Sequence, residues 1–237
     1  MTIATTAQVC APTVLDAARG RLRRESIDRR LDYWSRAAVR LADMRVEVAG
    51  LEHVDPDQTY VVMSNHQSNY DIFTVYYAFP GTLRMVAKVE IRKFPLIGRA
   101  MEAAEFVFVD RRDNRRARAS LDAAAELMAS GVSVWIAPEG TRSRTGHMGP
   151  FKKGGFMLAL NAGIPILPAT LWGTRAVQPI SQLAVHRSQP VSLRFHAPIA
   201  TTDYGVERRD ELMARVRQVI GSGLPEGFRP EDRAGDP

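Results

Sequence analysis

The sequence predicts an α/β fold: a single domain with a mostly parallel or mixed central sheet flanked by helices, preceded by a basic amphipathic N-terminal helix region. Three observations carry that prediction. Short apolar runs rich in Val and Ile alternate with longer stretches of helical spacing. The chain has 237 residues and no linker interrupts its middle, which suits one domain. Its 45% hydrophobic and 24% charged residues are globular values and exclude a disordered or collagen-like chain.

Residues 1–14 carry no basic stretch, so no secretory signal is expected there. Next come Leu15, Ala18, Leu22, Ile27, Leu31, Trp34, Ala38 and Leu41, mostly three or four apart, which is helical spacing. Between residues 19 and 40 eight arginines face three acids, a local balance of +5. Such a helix either lies in a membrane interface or packs its stripe on the core. Residues 44–49 and 60–64 read as strands. Residues 70–79 read as a helix stopped by Pro80-Gly81. A strand over 83–88, a helix over 95–104 and a short strand over 106–109 follow. Residues 117–130 form a helix ended by Gly131, and 132–137 a strand. The longest uncharged stretch, 154–174, has the length of a membrane span. Gly163, Pro165 and Pro168 break it, so it reads as a helix over 153–161 and a buried strand over 164–169. The last strand is 191–195 and the last helix 208–220. The expected division is an amphipathic helical region (1–43) that could associate with a membrane, an α/β domain (44–220) and a flexible tail (221–237).

There are 32 basic and 26 acidic residues, a net charge of +6. Only Lys88, Lys93, Lys152 and Lys153 are lysines. A basic chain favours anionic partners such as phosphates or anionic lipid. The basic residues are not interleaved with aromatics on a recognised motif, so no nucleic acid is expected. The lone Cys10 excludes an intrachain disulfide and a cysteine-based zinc site, and suits a reducing compartment.

Four constellations could carry chemistry. In Asn65-His66-Gln67-Ser68-Asn69-Tyr70-Asp71, His66 and Asp71 are five apart. On one helix they would point about 140° apart, so they meet only if His66 sits in the loop before it. A histidine held by a carboxylate is a general base. Alternatively, Ser68 and Asp71 are a capping pair and His66 a loop residue. The second constellation is Phe106 to Arg112. Arg111 lies just past a strand end, where open α/β sheets bind ligands, and arginine suits phosphate. In the third, Pro138-Glu139-Gly140-Thr141-Arg142-Ser143, a turn explains Pro and Gly but explains Glu139 and Arg142 less well. The fourth places Lys152 and Lys153 at a helix start, where cations oppose the dipole unless an anion binds. The Ile164-Pro165-Ile166-Leu167-Pro168 run then lines a lipid groove or forms an interior strand.

Together these blocks resemble the glycerolipid acyltransferase family, of the 1-acylglycerol-3-phosphate (lysophosphatidate) type. The family's Asn-His-x-Ser-x-x-Asp, Phe-x-x-Arg, Pro-Glu-Gly-Thr-Arg-Ser and Pro-containing apolar strand occur in order over about residues 45–200. The resemblance implies acyl transfer from acyl-CoA or acyl carrier protein, as co-substrate, to a lysophospholipid acceptor, giving phosphatidic acid. It implies catalytic roles for His66, as base, and Asp71, orienting it. Arg111 and Lys152 would hold the acceptor phosphate. Glu139, Gly140, Thr141 and Arg142 would shape the acceptor site, and Ile164, Pro165 and Pro168 would border the acyl groove. It implies no metal and no tightly bound cofactor. It places the protein peripherally or monotopically on the cytoplasmic face of a membrane, and favours the interfacial reading of residues 15–42.

Two departures bear on the acceptor. Glu105 stands where many members have glycine, six before Arg111, and Ala137 replaces a frequent phenylalanine. They leave room for another lysolipid, such as lyso-ornithine lipid. A non-catalytic lipid-binding module is the remaining alternative, and the intact His66/Asp71 pair argues against it.

Overall fold

The structure is a computed structural model and describes residues 2–110 and 114–229. Arg111 lies outside the described residues.

Among the described residues, seven strands form one sheet: β1 (Arg45–Ala49), β2 (Val61–Ser64), β3 (Leu83–Lys88), β4 (Val107–Val109), β5 (Ser133–Ile136), β6 (Ile166–Trp172) and β7 (Pro190–Phe195). Their order is β1-β7-β6-β2-β5-β3-β4. The last five in that order are mutually parallel, and β7 and β1 run the other way. The sheet is therefore mixed and mostly parallel, which agrees with the expected mostly parallel or mixed sheet. The β6–β7 pairing slips by one residue between the Ile166–Ile199 bridge and the Ala169–Phe195 pair. Pro168, which cannot donate to a ladder, sits at that bulge.

Helices cover both faces. On one side lie α2 (Arg24–Leu41), α3 (Tyr70–Ala78) and α4 (Pro95–Ala103). On the other lie α5 (Asn114–Ala129), α6 (Gly154–Ala162) and α8 (Arg209–Ser222), with the short α7 (Thr174–Val177) after β6. β2 supplies both cores. Val62 joins the first cluster, and Val61 and Met63 the second. Burying each such side chain contributes about 1.5–3 kcal/mol. The uncharged 154–174 stretch resolves into α6, a left-handed Gly163 and β6. Among the described residues, no helix is long and apolar enough to cross a membrane.

The N-terminal region departs from expectation. The apolar stripe is split between α1 (Thr2–Ala18) and α2, with Gly20 at φ 64° in the break. Trp34 Nε1 donates to Thr6 Oγ1 at 3.0 Å, tying the two helices together. The α2 stripe faces inward: Ile27 and Ala38 are buried, and the Trp34 ring lies 4.5 Å from Phe73. The α2 part of the stripe is thus largely used by the core, whereas Leu15 on α1 and Tyr33 on α2 stay exposed.

Within the tail, Leu224 is buried and the Phe228 ring stacks 4.9 Å from His147, while Pro225, Glu226 and Gly227 are exposed. Residues 230–237 lie outside the described residues.

Candidate active site

The parallel strands β2, β3 and β5 end at one edge of the sheet, and the chain beyond them builds a cleft of about 280 Å³. Open α/β sheets bind ligands at this end. Ligating and catalytic candidates from three strand ends meet there.

His66 follows β2 in a non-helical segment, and Asp71 lies in the first turn of α3. That placement lets residues five apart meet. His66 Nδ1 is 2.7 Å from Asp71 Oδ2. The same oxygen accepts from the backbone N–H groups of Gln67, at 2.6 Å, and Ser68, at 2.9 Å. Asp71 Oδ1 accepts from Thr174 Oγ1. Asp71 is fully buried, so these four partners compensate the loss of water. Ser68 and Asp71 also pair at the helix start, as the alternative reading expected: the Ser68 hydroxyl accepts from the Tyr70 N–H at 3.2 Å and donates to the Gln178 carbonyl. With Nδ1 engaged, Nε2 is the imidazole nitrogen free to exchange a proton. The edge of the His66 ring meets Trp135 at 5.9 Å, at 90°.

The neighbouring motif residues hold this loop. Asn65 bonds the Leu171 backbone twice at 2.8 Å, extending the contact of β2 with β6. Gly173 adopts φ 90°, and a Cβ there would stand 2.2 Å from the Pro190 carbonyl oxygen. Only glycine fits at that turn, which aims Thr174 at Asp71.

Glu139 does not line the cleft. It is buried, and its two oxygens accept from the N–H groups of His66, at 2.8 Å, and Gly149, at 2.7 Å. Burial pushes its pKa up, opposed by those two hydrogen bonds. Glu139 is a brace joining the β5 end to the His66 loop. Gly140, at φ 72°, Thr141 and Arg142 do line the cleft, together with His66, Asn69 and Ala137.

The structure does not bring Lys152 there; it is exposed, and only its backbone N–H reaches the Pro138 carbonyl. Ile164 and Pro165 precede β6, level with the start of β2. His66 lies five residues beyond that level, about 16 Å along the strand. Pro168 is buried inside β6. Ile164 and Pro165 thus stand at the end of the sheet opposite the cleft, and Pro168, level with Met63, is buried within the sheet and does not line the cleft.

Sequence reasoning missed Lys88, Ile91 and Trp135, all of which line the cleft, and Thr174. Lys88 closes a predicted strand, so the strand-end rule could have found it. Thr174 lies 103 residues from Asp71, and no local signal marks it. Ile72, Met85 and Ala87, from the first core cluster's side of the sheet, and Ile136, from the other, give the cleft apolar lining. Glu105 sits before β4, at the far end of the sheet, paired to Arg24 at 2.8 and 2.7 Å. Among the described residues, no group of three or more His, Cys, Asp or Glu side chains could hold a metal ion.

The acyltransferase family model matches residues 45–172, which hold the cleft and both members of the His66/Asp71 pair. The chain belongs to the acyltransferase family. It is 36% identical over 181 residues to the chloroplastic 1-acyl-sn-glycerol-3-phosphate acyltransferase BAT2 of Brassica napus, covering 76% of this chain and 51% of that protein. It is 40% identical over 132 residues to human 1-acyl-sn-glycerol-3-phosphate acyltransferase alpha, covering 55% and 47%. The chain thus spans about half the length of these curated relatives. The crystal structure of the 1-acyl-sn-glycerophosphate acyltransferase PlsC from Thermotoga maritima superposes with a TM-score of 0.75 at 26% identity, covering 94% of this chain and 96% of that one.

Proposed function

We propose that this acyltransferase moves a fatty acyl group from an acyl thioester, on coenzyme A or acyl carrier protein, to the free hydroxyl of 1-acylglycerol-3-phosphate, giving phosphatidic acid. The observation that carries this reading is the His66 imidazole, held through Nδ1 by a buried Asp71 at the edge of a cleft lined by Lys88 and Arg142. His66 Nε2 takes the acceptor hydroxyl proton as its oxygen attacks the thioester carbonyl. The tetrahedral intermediate collapses by breaking the carbon–sulfur bond. The imidazolium returns the proton to the departing thiolate.

Lys88 and Arg142 hold the acceptor phosphate, and the apolar lining of Ile72, Met85 and Ala87 receives an acyl chain. Glu105 faces Arg24 away from the cleft, so it does not compete with a phosphate. The relatives named for the 1-acylglycerol-3-phosphate reaction support the same acceptor. The enzyme works peripherally on a membrane surface, on the cytoplasmic face, where the lone cysteine suits a reducing compartment.

The test is acyl transfer in detergent, with lysophosphatidate and lyso-ornithine lipid offered separately and each donor tried. Phosphatidate should form, and His66→Ala should lower the rate by about 10²–10⁴-fold. Transfer only to the ornithine lipid overturns the acceptor. Undiminished turnover by the variant overturns the role of His66.

A further inference from the structure

A second cavity, of about 660 Å³, lies at the same end of the sheet as the cleft, over the ends of β6, β7 and β1. The strand register puts the two level. Ser64 pairs with Ala169, Trp172 with Ser192 and Pro190 with Arg45, so β1 begins at the end where β2 delivers His66. In the sheet, β5 and β3 lie on one side of β2, and β6, β7 and β1 on the other. Two consecutive residues therefore stand between the cavities. His66 lines the cleft and Gln67 lines the second cavity.

The second cavity has a polar side and an apolar one. Gln67 is 1% exposed, and its Nε2 donates to the Gly146 carbonyl at 3.2 Å. Among the described residues, Gln67 Oε1 is buried with no hydrogen-bond partner. A buried acceptor without a donor is costly, so this oxygen is suited to a ligand N–H. Arg45 and Arg175 bring two guanidiniums against the carboxylate of Glu47, a balance of +1. Arg45 Nη2 donates to the Ser188 carbonyl at 3.0 Å and Arg175 Nη2 to the Arg144 carbonyl at 2.9 Å. Those bonds pin the two groups, and a guanidinium has further N–H donors for an anion. The Trp172 and Phe228 rings, 4.6 Å apart, form the apolar side.

We propose that this cavity receives the phosphopantetheine arm of the acyl donor. The arm's phosphate meets Arg45 and Arg175, an amide N–H of the arm donates to Gln67 Oε1, and its dimethyl carbon rests on Trp172 and Phe228. This inference rests on the acyl-thioester reading above. Coenzyme A and acyl carrier protein carry the same arm. Its length fits the separation. β1 lies three strand spacings from β2, about 14 Å. From phosphate oxygen to sulfur the arm is a chain of about thirteen atoms, which spans about 15 Å at the rise of an extended backbone. A phosphate at Arg45 thus sets the thioester at His66. The acceptor, whose phosphate has Lys88 and Arg142, comes to His66 from the other side of β2.

The experiment is calorimetric binding of 4′-phosphopantetheine and of pantetheine to the full chain, paired with initial rates in detergent. Wild type should bind phosphopantetheine about tenfold or more tighter than pantetheine. Arg45→Ala/Arg175→Ala should remove that preference; both side chains are exposed, so the fold is kept. In transfer assays the same variant should raise the KM for the palmitoyl thioester about tenfold or more, with the KM for lysophosphatidate unchanged. Offering palmitoyl-CoA and palmitoyl acyl carrier protein separately identifies the carrier. Palmitoyl-pantetheine, which lacks the phosphate, should serve wild type and variant equally. A wild type with no preference for the phosphate overturns the proposal, as does a preference that survives in the variant. A raised KM for lysophosphatidate alone would give the two arginines to the acceptor and also overturn it. Equal losses on palmitoyl-pantetheine would remove the phosphate contact. Arginine-dependent phosphopantetheine binding, in a protein with no His66-dependent transfer, would leave the cavity's ligand standing and remove the proposed reaction.

Discussion

Two polar networks are buried at opposite ends of the same parallel strands. At the cleft end, Asp71 gathers His66, Gln67, Ser68 and Thr174, and Glu139 braces the loop from behind. At the far end, the fully buried Arg84 donates to Asp28 at 2.6 Å and to the Ala104 carbonyl at 2.7 Å. Glu105 lies 3.8 Å from Arg84 and pairs with Arg24, which joins α2 to the start of β4. Both ends bury charge and both hold elements together. They differ in what is left over. The far network spends its carboxylates on guanidinium groups, with Asp28 and Glu105 both paired to arginine, whereas the cleft network ends on an imidazole nitrogen facing a cavity. Buried charge alone therefore does not mark a catalytic site; a proton-accepting atom with room beside it does.

Breaking each network should separate the two roles. The largest effect is expected at the cleft. Asp71→Asn keeps the shape but weakens the hold on His66 Nδ1, and turnover should fall by about 10²–10⁴-fold in initial-rate assays, with a much smaller change in unfolding midpoint. Asp28→Ala should do the reverse. It removes the closest carboxylate from a buried guanidinium and should cost about 3–5 kcal/mol of stability, read by chemical denaturation. Transfer per folded molecule should stay near wild type, and a selective loss of turnover would contradict the division between the two ends.

Smaller effects sharpen the comparison. Lys88→Ala and Arg142→Ala should each raise the apparent KM for lysophosphatidate, equivalent to about 1.5–3 kcal/mol of binding. Equal kinetics for wild type and both variants would move the phosphate site off this cleft. The smallest effect concerns His196, which belongs to neither end. Burial pushes its pKa down from 6.5 to about 4, helped by Arg194 and His53. The unfolded chain binds that proton first as pH falls. The stability contribution is therefore present above pH 6.5 and is lost progressively toward pH 4. His196→Asn should flatten the stability profile across that window.

Glu105 and the helical stripe show how far local pattern reaches. At Glu105 the family comparison raised a repulsion that the fold removes, because the residue takes φ 64° and turns to Arg24. For the stripe, spacing placed Ile27, Leu31, Trp34 and Ala38 on one side, yet an apolar side reads the same whether lipid or protein covers it. The element order, the mixed α/β class and the His66/Asp71 pairing were legible in residue order. Each depends on neighbours within a few positions: strand and helix periods, glycine and proline stops, and a loop histidine five residues before a carboxylate. Tertiary structure alone decided that α2 packs inward, that Lys88 rather than Lys152 lines the cleft, and that Thr174 reaches Asp71 across 103 residues. Those outcomes depend on which strands become neighbours and which end each one presents. Strand order is set by packing across the whole chain, and no local spacing encodes it.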